Sequence, residues 1–329
     1  MTAMLCAILI SHVGAATCKL PDATAGTALD YAGMKGFVVT EGDELFARFA
    51  PVVLVENYEA SYNRIGTPSA RLADDGSEDV HVDPSTPTYY VQKLAWKTDA
   101  HEYTNLVYRV HFALSKSNDN SRDGGNGENV GLLVVVTVDE NGKPCWVNTV
   151  GTCGCFHAVL PTTFTPDQFY PEHWDKEDLR VYGEKLPGML AYPEEFDETV
   201  RPVVYLRDGS HRVADLAVAS IASIEEKYPL IHAKVAPMEQ LKHLPLGDGE
   251  TSFYYEEGSK KGLVKGAYKR REALLLGALV GDGRVGQDRI YASEDEVPRG
   301  FYTTINPLDK SNSDMWDYKA FLKQDGWKL

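Results

Sequence analysis

Two cysteines and a histidine lie within five consecutive residues of this chain. Residues 153–157 read Cys-Gly-Cys-Phe-His, and they hold two of the five cysteines. Thiolate and imidazole groups bind zinc and copper, and a thiolate is also a nucleophile. This run is therefore the first place in the sequence at which chemistry is expected.

The run follows a segment with the pattern of a β-hairpin. Residues 131–138 are apolar on both faces, which is typical of a central strand. Residues 139–142 read Asp-Glu-Asn-Gly and form a strong turn signal, after which residues 145–150 return as the second strand. The cysteine run is thus expected at the end of a hairpin strand.

If that second strand continues without a break, four candidate side chains share one parity and face the same side of the sheet. These are Cys145, Cys153, Cys155 and His157. Residues two apart on a straight strand are about 6.6 to 6.8 Å apart, so convergence on one metal ion requires a bend. Gly154 supplies the conformational freedom for such a bend.

A second histidine is predicted to lie just past a hairpin tip. Residues 202–206 read as a strand, residues 208–209 as a tight turn, and the return strand begins at Arg212. His211 can then approach a neighbouring site, and we take it as the first remote partner of the cysteines. A solvated hairpin with local ion pairs is the simpler interpretation.

Three functions fit these residues. The leading hypothesis is a zinc or copper site built from Cys153, Cys155 and His157, with His211 or Cys145 completing the set. The second is a thiol-dependent enzyme in which Cys155 is the candidate nucleophile and His211, or His157, the base. The third is a non-catalytic envelope protein that binds a partner and in which Cys145 forms a disulfide with Cys153 or Cys155.

Composition and the remaining motifs narrow the function classes. Carboxylates outnumber Lys plus Arg by 48 to 33 and give a formal net charge of -15, which argues against a nucleic-acid partner. The Cys-x-x-Cys-His pattern of covalent haem attachment is absent, as are the Gly-x-Ser-x-Gly elbow, the Walker loop and the His-Glu-x-x-His helix. Whether the chain is an enzyme therefore stays open at the level of sequence.

The N-terminus has the pattern of an export signal. Residues 1–16 contain a short apolar stretch followed by small residues, although no Lys or Arg precedes that stretch. Cys18 is then a candidate lipid acceptor, and through it the chain would contact a membrane. We expect an exported protein that is periplasmic, envelope-anchored or secreted, with free thiols that need a chemical reason to persist there.

The overall pattern predicts an α+β protein. An antiparallel β-sheet core is expected in the N-terminal half, with helices and hairpins added in the C-terminal half. A linker over residues 17–35 would follow the signal, and residues 36–329 would form a single globular domain with a possible subdivision near residues 161–165. The best helix candidate covers residues 263–280.

Overall fold

The computed structural model describes residues 29–116, 127–269, 274, 277, 281–298, 300–306 and 308–329. The predicted export signal, the first part of the predicted linker and the candidate lipid acceptor Cys18 lie outside these residues. The described chain is mostly β-sheet, with several sheets and only short helices. The predicted β-rich α+β class is confirmed at this coarse level.

The strands are numbered in chain order. They are β1 (Lys35–Val38), β2 (Val52–Val55), β3 (Thr67–Leu72), β4 (Glu78–Asp83), β5 (Thr88–Lys97), β6 (Glu102–Ser115), β7 (Gly127–Asp139), β8 (Pro144–Gly151), β9 (Ala158–Pro161), β10 (Leu179–Val181), β11 (Glu184–Leu186), β12 (Val200–Leu206), β13 (Val213–Ser220), β14 (Leu230–His232), β15 (Lys234–Pro237), β16 (Leu244–Leu246) and β17 (Gly249–Thr251).

The helices are short. Among the described residues, the α-helices are α1 (Glu44–Phe49), α2 (Ile221–Glu225) and α3 (Tyr318–Gln324). Single 3-10 turns are formed by Tyr31–Gly33, Ser61–Asn63, Asp167–Phe169, Met238–Lys242, Gly258–Lys260 and Ser311–Ser313.

A six-stranded sheet has the order β15-β5-β6-β7-β8-β9. Neighbouring strands from β5 to β9 are antiparallel, and β15 adds to the β5 edge in parallel. The β7–β8 hairpin turns where predicted, with the Gly142 N–H donating to the Asp139 carbonyl at 3.0 Å. β7 is apolar on both faces because it lies in the interior of this sheet and is covered on each side.

The two faces of β6 enter different cores. Leu106 and Val110 belong to a core shared with the five-stranded sheet β13-β12-β2-β1-β14. Arg109 and His111 point to the other face, yet both are fully buried. Buried polar side chains on that face need hydrogen-bond partners within the protein. Residues after Thr251, called the C-terminal segment from here on, supply partners for them.

The C-terminal segment covers this second face of the six-stranded sheet. Phe253, Phe301 and Phe321 pack in one core with strands β6 to β8. The predicted helix is wrong over residues 263–269, where Leu263 and Val264 make isolated bridges with other segments. Most of the remaining residues of that prediction lie outside the described chain.

Candidate functional site

The cysteine run forms a tight turn between β8 and β9. The Gly151 N–H donates to the Cys155 carbonyl at 2.9 Å, and the Gly154 N–H donates to the Gly151 carbonyl at 2.7 Å. Gly154 has a φ of +83°, which favours glycine. The Thr152 N–H donates to the Gly131 carbonyl of β7 at 2.9 Å. The strand ends at Gly151 and the backbone then reverses, so the condition for a shared parity of the four side chains is not met.

Cys145 lies at the other end of β8. The six residue steps from Cys145 to Gly151, at roughly 3.3 Å each, span about 20 Å. The Cys145 thiol is buried and contacts the carbonyl oxygens of Lys143 at 3.6 Å and Phe164 at 3.8 Å. Burial raises its pKa to about 12. The shared-parity argument therefore does not bring Cys145 to the thiols of the turn.

His157 turns toward the C-terminal helix. Its Nε2 lies 3.2 Å from Oδ1 of Asp325, and its ring centroid is 6.0 Å from that of Phe321 in α3. The side chains of His157 and Asp325 are both partly exposed. The imidazole thus has a carboxylate partner on a distant segment.

His211 lies just past the tip of the β12–β13 hairpin, as predicted. Its ring stacks on Phe112 with a centroid separation of 4.0 Å and an interplanar angle of 5°. Its Nε2 is 3.0 Å from the Tyr62 carbonyl, to which it can donate. Burial lowers the pKa of His211 to about 4, so it is neutral and a weak base near pH 7.

The five predicted ligands are thus divided among several places. Cys153 and Cys155 share one turn, whereas Cys145, His157 and His211 have other partners. Within the part of the chain that the structure describes, no three His, Cys, Asp or Glu side chains are grouped so that they could hold a metal ion.

Cys153 and Cys155 interact directly. The Cys155 thiol donates a hydrogen bond to the Cys153 sulfur, and this bond is the main cause that lowers the pKa of Cys153 to about 6. Burial opposes the shift, and the Lys269 ammonium adds to it. Cys153 is 8% exposed and Cys155 is partly exposed. The turn therefore presents one accessible sulfur beside a nearly buried sulfur whose pKa is lowered.

A buried ion pair stands next to the Cys153 sulfur. Lys269 Nζ lies 3.0 Å from Oδ2 of Asp288, with side chains 7% and 2% exposed. Thr152, the neighbour of Cys153, donates from Oγ1 to Oδ1 of Asp288 at 2.5 Å. The ammonium stabilises the negative sulfur more than the carboxylate destabilises it, since Lys269 has the larger effect on the pKa of Cys153.

Arg289 holds the backbone of the turn. Its Nη2 donates to the Cys153 carbonyl, and its own N–H donates to the Thr152 carbonyl at 3.0 Å. The guanidinium lies over the Tyr302 ring, with Cζ 3.9 Å from the ring centroid. Nε and Nη1 of Arg289 are buried and have no hydrogen-bond partner among the described residues.

Arg109 and His111 support Arg289 from β6. Arg109 Nη1 donates to the Arg289 carbonyl at 2.9 Å, and its Nε donates to His111 Nε2 at the same distance. Burial, with the Arg109 charge as a second cause, holds the pKa of His111 well below its ordinary value. The imidazole is therefore neutral, which lets it accept this hydrogen bond.

A shallow groove lies beside the turn. The Phe156 ring meets Tyr182, at the tip of the β10–β11 hairpin, with centroids 4.6 Å apart in an edge-on arrangement. Arg212 and Glu184 also line the groove. Burial and then the Cys155 and Cys153 sulfurs raise the pKa of Tyr182, so its hydroxyl is near the thiols and stays protonated.

Sequence reasoning missed the residues that set the charge of the site. Thr152 and Asp288 are 136 residues apart, and Lys269 and Arg289 are similarly distant from the cysteines. No local spacing links such residues. The signal that could have found Thr152 is its position directly before the first cysteine.

Comparisons of the chain with protein-family models, curated proteins and solved structures found no match. Among the described residues, no helix is long and apolar enough to span a membrane. The chemistry of the turn is therefore the basis for the function proposed below.

Proposed function

We propose that the protein uses Cys153 and Cys155 as a redox-active thiol pair that exchanges with disulfides. The observation that carries this proposal is the hydrogen bond from the Cys155 thiol to the Cys153 sulfur, inside a turn that Gly154 permits. Thiolates attack disulfides, and an adjacent second thiol completes the exchange. In this form of the thiol-enzyme hypothesis, the Lys269 charge stabilises the thiolate, whereas the sequence suggested activation by a histidine base.

The unequal exposure of the two cysteines assigns their roles. Cys155 passes its proton to Cys153 and attacks the partner disulfide, whose S–S bond breaks as a Cys155 mixed disulfide forms. The first partner sulfur leaves as a thiol with the proton from Cys153. The Cys153 thiolate then attacks the Cys155 sulfur and expels the second partner sulfur as a thiolate. Two electrons pass to the partner, and a Cys153–Cys155 disulfide remains.

Reaction of the reduced full-length protein with excess aromatic disulfide reagent tests this scheme. We expect the turn to release two aromatic thiols and to end without an adduct, having lost two hydrogens by mass. Cys153→Ser should keep a stable adduct on Cys155, because the resolving sulfur is gone. Cys145→Ala is the matched control and should react at the turn like the wild type, since Cys145 lies at the far end of β8.

Two outcomes would overturn the scheme. One is a wild-type protein that carries separate stable adducts on both cysteines of the turn. The other is a protein whose turn thiols do not react at all. A bridge between Cys145 and either cysteine of the turn that resists strong reductants would favour the third hypothesis, a disulfide-bonded binding protein.

A second proposal is that the same two sulfurs bind a soft transition metal. Two thiols that share one turn favour cuprous copper over zinc, because zinc sites in proteins are almost always four-coordinate. His157 would have to leave Asp325 to join them. Metal analysis after loading with either ion, on wild type and on a Cys153→Ser/Cys155→Ser variant, tests this proposal. Equal metal content in the two proteins would reject it.

Export is proposed on the sequence pattern alone. The signal-like residues 1–16 and the candidate lipid acceptor Cys18 lie outside the described residues. Intact mass of the protein recovered from the envelope of an expression host tests this proposal. We expect cleavage after residue 16, or cleavage after residue 17 with an added lipid mass if Cys18 is acylated, and recovery of the full chain from the cytosol would contradict the proposal.

A further inference from the structure

We infer that the turn also reduces small hydroperoxides, with Cys153 as the sulfur that is oxidised, Arg289 as the group that binds the peroxide oxygen, and Cys155 as the resolving thiol. This inference rests on the proposed thiol pair and names a second class of oxidant for it. Three observations support it, namely the exposure of the two sulfurs, the position of Arg289 and the proximity of Cys155.

The different exposure of Cys153 and Cys155 means that the size of an oxidant decides which sulfur it can reach. Cys153 is only 8% exposed, so a bulky disulfide meets the partly exposed Cys155 first. A hydroperoxide as small as hydrogen peroxide is close to a water molecule in size and can approach Cys153 itself. The more anionic sulfur of the pair is thus available to a small oxidant.

Arg289 contacts Cys153 through the backbone carbonyl and is the candidate to bind the oxygen that leaves. Its guanidinium is fixed by the hydrogen bond to the Cys153 carbonyl and by the Tyr302 ring, and the residue is 1% exposed. Nε and Nη1 have no partner among the described residues, and buried donors of this kind are costly to leave unpaired. A peroxide oxygen that gains negative charge as the O–O bond breaks would satisfy them.

Lys269 supplies a second positive charge near the Cys153 sulfur. Its ammonium stabilises the Cys153 thiolate in the ground state, and Asp288 keeps it in place at 3.0 Å. A thiolate reacts with peroxide whereas a thiol does not do so readily. The site therefore combines an anionic sulfur with unpaired guanidinium donors.

The reaction balances in two steps. The Cys153 thiolate attacks one peroxide oxygen, an S–O bond forms, the O–O bond breaks, and the other oxygen takes a proton from solvent and leaves as water. The Cys155 thiol then attacks the Cys153 sulfenic acid, an S–S bond forms, the S–O bond breaks, and a second water leaves. Cys153 and Cys155 lose two electrons in total, and the peroxide gains them.

Hydrogen peroxide applied to the reduced full-length Cys155→Ser variant tests the first step. We expect a sulfenic acid on Cys153, trapped by dimedone and located by mass spectrometry. In the wild type the product should instead be the Cys153–Cys155 disulfide. Labelling only at Cys145, or a rate for Cys153 equal to that of an unfolded control, would overturn the inference.

Arg289→Lys tests the role of the guanidinium, because it keeps the charge and removes the planar set of donors. We expect the rate with hydrogen peroxide to fall about tenfold more than the rate with an aromatic disulfide, which reports any loosening of the turn. Arg201→Lys is the control, since Arg201 is also buried and donates to a backbone carbonyl, that of Arg48. A loss of both rates in parallel would assign Arg289 a purely structural role and contradict the inference.

These measurements distinguish the peroxide activity from the thiol–disulfide exchange on which it rests. Fast exchange with disulfides and no peroxide reaction would leave the thiol pair standing and remove the peroxide activity. Failure of both reactions would remove both.

Discussion

Lys269 and Asp288 form an ion pair of 3.0 Å that is almost completely shielded from solvent beside Cys153. The pair joins the C-terminal segment to the turn, because Asp288 also accepts the hydrogen bond from Thr152. A charge pair in this position influences the electrostatic potential at the Cys153 sulfur. Its two members act on the Cys153 thiolate in opposite directions.

Substitution of Lys269 and substitution of Asp288 should therefore shift the pKa of Cys153 in opposite directions. Lys269→Met removes the stabilising charge, so we expect the pKa to rise. Asp288→Asn removes the opposing charge and frees the ammonium to act on the sulfur, so we expect it to fall. The ultraviolet absorbance of the thiolate, titrated against a Cys153→Ser reference, measures both.

Lys265→Met is the matched control for this pair. Lys265 lies four residues before Lys269 and forms its own ion pair with Glu78 at 2.8 Å. It should leave the pKa of Cys153 unchanged. Shifts of the same sign in Lys269→Met and Asp288→Asn would show that the pair acts through the fold and not through its charge.

Gly154→Ala should damage the turn more than its backbone strain alone predicts. A Cβ at position 154 would collide with the Tyr302 carbonyl, in addition to the left-handed φ of +83°. Gly76→Ala has nearly the same φ, +81°, with open space around the added carbon. We expect about 1 kcal/mol of destabilisation for Gly76→Ala and about 3 kcal/mol for Gly154→Ala, by chemical denaturation. Equal losses would mean that the close approach to Tyr302 does not constrain the turn.

His211 should make the protein sensitive to acid. Burial lowers its pKa from 6.5 to about 4, so between these values the unfolded chain binds a proton that the folded chain does not. The free energy of unfolding should fall as pH drops through this window, by about 3 kcal/mol from this residue. His211→Asn should flatten that part of the pH profile of stability.

His173→Asn serves as the comparison for His211, because the His173 side chain is 90% exposed. Its pH profile should match that of the wild type. If His211→Asn and the wild type lost stability in parallel from pH 6.5 to 4, the prediction that His211 is neutral when buried would be wrong.

Local signals in the sequence predicted local structure correctly. The acidic turn before Gly142 depends on neighbouring residues, and the structure confirms it. The position of His211 past a hairpin tip is confirmed for the same reason. Its role as a partner of the cysteines stays a prediction. In the structure its ring stacks on Phe112 and contacts the Tyr62 carbonyl instead.

The turn itself shows where such reasoning fails. Gly154 allows the strand to bend, but the parity argument extends through it to His157. Hydrogen bonds within the turn and to Gly131 decide otherwise. The charges at Lys269 and Asp288 depend on how the C-terminal segment packs against β7 and β8, and no short pattern encodes that contact.

The central claim is tested most directly by equilibrating the reduced full-length protein with dithiol and disulfide buffers of stepped potential, followed by thiol counting and peptide mapping. We predict one reversible two-electron transition, with the new bridge between Cys153 and Cys155 and with Cys145 reduced throughout. A thiol count that stays at its fully reduced value at every potential, or a bridge that contains Cys145, would contradict it.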